Sequence, residues 1–294
     1  GGDVPVQVIK VLTDQGIEGV CTVGDWRYAE LNWQQIATLR ELAVGEDPLD
    51  RNRLWSKLSA ASRFLNPVWW GGFDNCLWDI AGKAEGLPVA EMLGGSRKSA
   101  TAYYNTAGGT VEELIRDGER GIEAGYSTLK DHLAFLYEDN IDAFESFRNH
   151  FGPDVGLMHD AALASYNYDE ALVVGRALEA TDFIWFEEPI DDRLHDQNKQ
   201  LCDLLDIPIA GAETLMHDPA LGELWLKDGA VDVLRVHARH GTTAVQRLAA
   251  TAADLGTNVE PNAYGPLFGL VHAHVVCGIQ NVDWFEIAPP PNGA

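Results

Sequence analysis

The chain has 294 residues, enough to bury one barrel-sized core and a smaller companion domain. Its hydrophobic fraction of 46% and charged fraction of 22% are those of a globular protein, and no apolar run approaches the roughly 20 residues a membrane span needs. With 45 acidic against 21 basic residues, a net charge of −24 makes nucleic acid and anionic membranes poor partners. The excess reads as a solvated acidic surface, with adaptation to high salt as the sharper alternative. No signal peptide opens the sequence, and Cys21, Cys76, Cys202 and Cys277 lack CxxC spacing, so reduced cysteines and a cytoplasmic location are expected. The start at Gly1-Gly2-Asp3 and the end at Pro291-Asn292-Gly293-Ala294 both read as incomplete.

In chain order, residues 6–13 and 17–23 are β-branched runs joined by Asp14-Gln15-Gly16, the pattern of a hairpin. Residues 31–43, 50–60 and 67–85 carry helical periodicity, with Asp50 placed as an N-cap. Gly94-Gly95 closes this α+β section. From about residue 100 the pattern alternates strand and helix. Strands are expected near 101–106, 126–131, 155–160, 183–187, 207–212, 231–236, 257–261 and 282–287. Helices fall between them, for example over 111–124, 169–180, 220–227 and 243–255. This gives an α/β fold: a (β/α)7β modified TIM barrel over residues 99–294 behind an N-terminal α+β capping domain over 1–98. A doubly wound open sheet is the alternative. No glycine-rich phosphate fingerprint follows the first strand, and regularity through eight strands favours closure.

Three acidic residues close successive strand-like runs: Asp160 after Val155 to His159, Glu187 after Phe183 to Phe186, and Glu213 after Ile207 to Ala212. Their intervals of 27 and 26 residues equal about one strand, one helix and two loops. Carboxylates ending successive parallel strands converge at one rim of a barrel, where a hard divalent cation can sit between them. A single strand-end carboxylate more often caps a neighbouring helix; three in this register favour a metal.

These motifs resemble the enolase superfamily, within its mandelate racemase and muconate-lactonising branch. The resemblance runs nearly end to end. Gly72-Phe73-Asp74-Asn75-Cys76-Leu77-Trp78-Asp79-Ile80-Ala81-Gly82-Lys83 is similar to the family's cap-to-barrel helix, followed by Leu87-Pro88-Val89 and Leu93-Gly94-Gly95. Phe186-Glu187-Glu188-Pro189 and Gly211-Ala212-Glu213 resemble its fourth and fifth strand ends. The resemblance implies Mg2+ held by Asp160, Glu187 and Glu213, and removal of the proton beside a substrate carboxylate through an enediolate.

Lys-x-Lys is common on the second strand of relatives, and the matching segment here is Thr128-Leu129-Lys130-Asp131-His132. Lys130 matches the lysine that contacts the substrate carboxylate or polarises the site. His132 replaces the proton-abstracting lysine. Positions i and i+2 of a strand share a face, and the unperturbed histidine pKa of about 6.5 suits a base near neutrality. Glu286 fits the eighth-strand acid that hydrogen-bonds the metal-bound carboxylate.

Other positions depart from the family. Asp160-Ala161-Ala162 lacks the amide of the usual Asp-x-Asn. Val236 falls at the strand-six Asp position, and Asn262 at the strand-seven His position, so the His–Asp dyad is missing; Asn262 can hydrogen-bond but cannot titrate near neutrality. Strand six runs Leu234-Arg235-Val236-His237-Ala238-Arg239-His240, a basic cluster. At a barrel mouth, His237 and Arg239 would bind an anionic substrate, with His237 or His240 as substitute acid. Equally, Arg235 and His237 can point outward toward the helices. His159 should face away from the site. His272 and His274 read as core or interface residues, and Trp69, Trp70 and Phe64 as packing between cap and barrel.

The expected activity is therefore Mg2+-dependent proton abstraction from a small-molecule carboxylate, foremost the dehydration of a sugar acid to a 2-keto-3-deoxy acid. A sugar-acid lactone cycloisomerase is the runner-up. A non-catalytic paralogue binding metal and carboxylate is the reading from another class. Segments near 1–5 and 24–30 of the cap are expected to be mobile and to contribute specificity, and the family's habit suggests a homo-oligomer.

Overall fold

The computed structural model describes residues 6–23, 33–61, 68–162, 164, 166–215, 218–262 and 266–287. Phe64, segments 1–5 and 24–30, and the Trp69 side chain lie outside the described part. The hairpin forms as expected: β1 (Val8–Leu12) pairs antiparallel with β2 (Glu18–Thr22), from Val8 opposite Thr22 to Leu12 opposite Glu18. Gly16 turns the chain at φ +78°, a left-handed conformation that costs glycine little. Helices α1 (Trp33–Ala43), α2 (Arg51–Ala61) and α3 (Val68–Glu85) complete the cap. Their apolar faces, with Leu39, Leu54, Leu58, Trp70, Phe73 and Leu77, form one buried cluster with Val23. Trp70 thus belongs to the cap's own core. Asp50 precedes α2, but its carboxylate takes the Arg53 guanidinium at 2.9 Å.

A short α4 (Val89–Met92) leads to eight parallel strands: β3 (Thr101–Asn105), β4 (Thr128–Asp131), β5 (Gly156–Asp160), β6 (Phe186–Glu187), β7 (Ile209–Gly211), β8 (Val233–Val236), β9 (Val259–Pro261) and β10 (Trp284–Ile287). Their order is β10-β3-β4-β5-β6-β7-β8-β9, so each strand from β3 to β8 pairs with its sequence successor, the last lies beside the first, and β9 and β10 flank the seam. Among the described residues seven helices alternate with them: α5 (Val111–Glu123), α6 (Tyr137–Phe151), α7 (Tyr168–Ala180), α8 (His195–Leu204), α9 (Pro219–Asp228), α10 (Thr242–Asp254) and α11 (Pro266–Gly278). This is the near-closed (β/α)7β barrel expected from the sequence. At the remaining seam the Glu260 carboxylate on β9 accepts the backbone N–H groups of Asp283, at 3.1 Å, and Trp284, at 2.9 Å, so a side chain supplements the ladder. Among the described residues no helix is long and apolar enough to cross a membrane.

Strand alternation sorts the core. Tyr103, Met158, Trp185 and Ala210 pack together inside the barrel. Leu129, Leu157, Phe186 and Ile209 face the outer helices, as do Leu234, Val236 and Val259 on the other side. Side chains of period two thus fill two separate layers from each strand.

Cap and barrel are joined through α3. Asn75 accepts the N–H and hydroxyl of Thr242, both at 2.9 Å, and donates to the Ala238 carbonyl at 2.9 Å. Asp74 accepts the Thr243 N–H at 2.8 Å and its hydroxyl at 2.7 Å. A cap helix therefore supplies the N-terminal caps of the barrel helix α10, satisfying donors that α10 cannot satisfy itself. The approach is close: a Cβ on Gly71 would stand 1.9 Å from the Arg239 carbonyl oxygen.

Burial pushes the Asp74 carboxyl up to about 6, against the Thr243 hydrogen bonds and the Arg51 and Arg247 charges. A folded pKa above the unfolded value of about 3.9 favours the folded state below that value, and the contribution is lost as pH rises through about 6. Urea denaturation from pH 4 to pH 7 should show wild type losing stability relative to Asp74→Asn, by on the order of 2–3 kcal/mol over that interval. A pH-independent difference between the two proteins would contradict the buried, shifted carboxyl.

Candidate active site

The C-terminal ends of the barrel strands bring together residues distant in sequence. Lys130 lies on β4, Asp160 ends β5, Glu187 ends β6, Arg235 lies on β8 and Glu286 on β10. Glu213 opens a 3-10 turn over Glu213–Leu215, two residues past the end of β7. The Lys130 ammonium reaches Asp160 Oδ2 at 3.1 Å, Glu187 Oε2 at 3.0 Å and Glu286 Oε1 at 3.0 Å. Arg235 points into the barrel, with Nε 2.7 Å from Glu187 Oε1 and Nη2 2.5 Å from Glu286 Oε2. The two cations and two carboxylates form a closed ring in which each carboxylate gives one oxygen to each cation.

The ring is enclosed. Lys130 and Arg235 are each 1% exposed and Glu187 is 0% exposed. Buried charges are costly unless paired and hydrogen-bonded, and the surroundings supply part of what is needed, while Arg235 Nε and Nη1 and Glu187 Oε1 make no hydrogen bond among the described residues. Asn105 Nδ2 donates to Glu286 Oε1 at 2.8 Å, Arg235 Nη2 donates to the Tyr103 hydroxyl at 3.2 Å, and the Arg235 guanidinium lies 5.5 Å from the Trp185 ring centre. Burial pulls the Lys130 ammonium down, but Glu187, Glu286, Tyr103 and Asp160 outweigh it and hold its pKa well above the lysine range. Burial likewise opposes ionisation of Asp160 and Glu286, yet neighbouring cations hold both below the usual carboxylate range.

His132 follows β4 and reaches Asp160 Oδ2 with Nε2 at 3.1 Å. Its side chain is 32% exposed, whereas that of Lys130 is 1% exposed. Burial lowers the His132 pKa, and attraction and a hydrogen bond to Asp160 raise it above the ordinary value. Lys130 and His132 thus converge on one carboxylate, one beneath the mouth and one at its surface.

The carboxylates suit a hard cation. Lys130 already stands between Asp160 and Glu187, a positive charge where two oxygens converge. Glu188, held at φ +46°, is pushed up to about 10 by burial and by Glu213, Asp160, Asp192 and Glu187. Its buried Oε1 has no hydrogen-bond partner among the described residues. Burial is the largest cause and four neighbouring carboxylates add to it, so acidic groups crowd this rim, a condition oxygen-ligated divalent ions relieve. Among the described residues no three His, Cys, Asp or Glu side chains are arranged to hold a metal ion, and the ammonium of Lys130 contacts two of the carboxylates. A cleft of about 350 Å3 opens beside Glu188, lined by Ala162, Tyr166, Asp192, Arg193 and Thr214 among others.

The structure departs from the sequence reading around β8. Arg235 faces inward, which leaves Val236 outward in the cluster with Val245 and Leu248 of α10. Position 236 thus cannot present a side chain to the interior. His237 is 0% exposed, its ring set edge-on against Phe268 and His272 and its Nδ1 accepting the Arg239 N–H at 3.0 Å. Arg239 is 1% exposed beneath α3. Both side chains are thus enclosed rather than open at the mouth, and the His237 ring packs on α11. Asn262 is buried, its N–H donating to the Val236 carbonyl at 2.9 Å and its Oδ1 without a hydrogen-bond partner among the described residues.

His159 faces outward as expected. Its Nδ1 lies 2.6 Å from Asp131 Oδ1 and its Nε2 3.2 Å from the Tyr166 hydroxyl. Because Asp131 sits between Lys130 and His132, this pair anchors the outer face of β4 while its two neighbours face inward. His272 accepts the Ala238 N–H at 2.8 Å and His274 the Ala90 N–H at 3.3 Å, both structural roles.

Comparison with known proteins gives a consistent result. The family model described as Enolase C-terminal domain-like matches residues 113–292, and that of the mandelate racemase / muconate lactonizing enzyme N-terminal domain matches residues 2–94. A D-galactonate dehydratase family member of Catenulispora acidiphila is 30% identical, over 86% of this chain and 67% of its own. A D-galactarolactone cycloisomerase of Agrobacterium fabrum is 28% identical, over 76% of this chain and 62% of its own. The chain therefore spans about two thirds of the length of these relatives. The crystal structure of a D-glucarate dehydratase from Agrobacterium tumefaciens, complexed with magnesium, superposes with a TM-score of 0.85 at 30% identity, covering 95% of this chain and 77% of that one.

His159→Ala should leave the Asp131 carboxylate and the Tyr166 hydroxyl buried without their shared partner. Asp131 keeps the Leu133 N–H and Tyr166 keeps Asn140, so the expected loss is about 1–3 kcal/mol in all, read as a lower urea midpoint with a native circular dichroism spectrum. An unchanged midpoint would mean that the pair does not anchor β4.

Proposed function

The chain belongs to the enolase superfamily, in its mandelate racemase and muconate lactonizing enzyme branch, and on that premise we propose that it removes the proton beside the carboxylate of a sugar acid. The observation that carries the reading is His132: a part-exposed imidazole at the mouth, 3.1 Å from Asp160 and on the same strand face as Lys130. Asp160, Glu187 and Glu213 would hold Mg2+, the ion present in the A. tumefaciens relative. When bound, that ion supplies positive charge for the substrate carboxylate.

The side chains divide the remaining work. His132 accepts the proton, because its imidazole meets solvent while Lys130 lies below it. Lys130 stands against Asp160, Glu187 and Glu286, and its positive charge favours negative charge developing above it. Asn105 and Arg235 keep Glu286 ionised and oriented. Asn262, where relatives carry a histidine, can hold a substrate hydroxyl but cannot exchange a proton near neutrality.

That asymmetry selects the reaction. Racemisation needs proton-transfer groups on both faces of the carbon, and the face opposite His132 lacks the pair. Dehydration needs only that the protonated His132 return its proton to the departing β-hydroxyl on the same face, giving a 2-keto-3-deoxy acid. Intramolecular rearrangement of a sugar-acid lactone is also compatible with one acid-base group, and a relative is named for such an activity.

Screening an acid-sugar and lactone library with Mg2+ for 2-keto acid formation decides between these readings. Wild type should turn over at least one acid sugar, and His132→Ala should lower kcat by about 10²–10⁴-fold. Mg2+ affinity by calorimetry should stay near wild type in His132→Ala and fall in Glu213→Gln. Turnover of lactones alone would favour the cycloisomerase, whereas tight binding of acid sugars without any turnover would sink the enzyme reading.

A further inference from the structure

Arg235 is the one member of the buried ring that the resemblance assigns no role. Its contacts differ from those of Lys130 in a specific way. Lys130 holds Asp160 Oδ2 and Glu187 Oε2, oxygens of two candidate metal ligands. Arg235 donates a hydrogen bond to Glu286 Oε2 and sets Nε 2.7 Å from Glu187 Oε1, an ion pair in which neither atom makes a hydrogen bond among the described residues, and it has no described contact with Asp160. The two cations thus grip opposite oxygens of Glu187.

We propose that Arg235 is a positioning residue for metal binding: a permanent internal cation that fixes Glu187 through one oxygen and ties it to Glu286, leaving Lys130 as the replaceable cation. The inference rests on Glu187 being a metal ligand, as read above. Three observations carry it. First, the arginine is enclosed, 0% exposed along its side chain, with the Tyr103 hydroxyl accepting from Nη2 and the Trp185 ring beside the guanidinium. Second, a planar guanidinium can bridge two carboxylates in a fixed geometry, whereas an ammonium on a flexible stem is a point charge that rearranges readily. Third, the Arg235 contacts leave Glu187 Oε2 and both Asp160 oxygens uncommitted to it, so a second cation can take these oxygens without disturbing the clamp.

The proposal separates position from charge. Were Arg235 only a competing positive charge, its removal would tighten Mg2+ binding. As a clamp, its removal loosens Glu187 and weakens binding, and a lysine of equal charge cannot restore it. Calorimetric titration of the metal-free protein with Mg2+ reads this directly, alongside thermal unfolding without metal. Arg235→Gln and Arg235→Lys should each weaken Mg2+ binding by about 10- to 100-fold, the range typical for residues that orient metal ligands. Lys130→Met should bind Mg2+ more tightly than wild type. Glu286→Gln, an isosteric change that loosens the far anchor and spares Glu187, should also weaken binding, and it tests the clamp even where an Arg235 variant fails to fold.

A lower metal-free melting temperature with an unchanged Mg2+ Kd in folded Arg235 variants would overturn the proposal, leaving Arg235 purely structural. Tighter binding in Arg235→Gln would overturn it in favour of simple charge competition. A wild type that binds no Mg2+ would remove the metal reading itself and this inference with it.

Discussion

A closed ring of buried charge, Lys130 and Arg235 alternating with Glu187 and Glu286, occupies the position in this barrel where an ordinary protein would place apolar side chains. Burying four charged groups is costly, since each must give up its hydration. The expense is tolerated because every oxygen of the two carboxylates meets a cation and Asn105 and Tyr103 take up further hydrogen bonds. The ring constrains much of the remaining architecture. Its members come from β4, β6, β8 and β10, alternate strands around the barrel, so the ring assembles only when all four stand in register. A slip of one residue in any of them would turn a charge toward the outer helices and bring an apolar side chain in.

The cap is tied to that register through a separate polar junction. Asp74 and Asn75 cap α10, whose first turn follows directly on β8 and the short 3-10 turn containing Arg239. Fixing the start of α10 therefore fixes the C-terminal end of the strand that bears Arg235. At this junction the His237 ring packs on α11, and the Arg239 backbone carbonyl meets the closely packed Gly71. Both polar systems meet at β8, one inside the barrel and one above it.

The sequence discloses the strands and their order because the hydrophobic runs recur at a constant spacing, and that spacing also exposes Asp160 and Glu187 as strand-end carboxylates. It discloses the outward aspect of His159 through simple alternation from Asp160. Around β8 the same reasoning is insufficient. Arg235, His237 and Arg239 share a parity, but the ladder ends at Val236 and the chain then tightens into a 3-10 turn, so period two no longer assigns a face. Arginine at a strand position also has two physical interpretations, a solvated surface group or a paired interior one. Only the placement of Glu187 and Glu286 opposite it decides. Glu188 and Asp131 were invisible for a related reason: their significance comes from neighbours tens of residues away, Glu213 for one and His159 for the other.

Set beside these fixed charges, His132 differs in kind. Its imidazole is one-third exposed, makes one described polar contact with the cluster and belongs to no closed ring. A group that must accept and return a proton has to change charge during each cycle, which a ring member could do only by leaving a buried partner unpaired. The structure thus segregates its two electrostatic tasks by depth. Lys130 and Arg235, held charged, lie under the mouth, with Glu187 beside them pushed up to about 7 by burial, and His132 lies nearer the surface, where water offsets its changes of state. Under the proposed function, this depth ordering would let one imidazole both take the proton and return it.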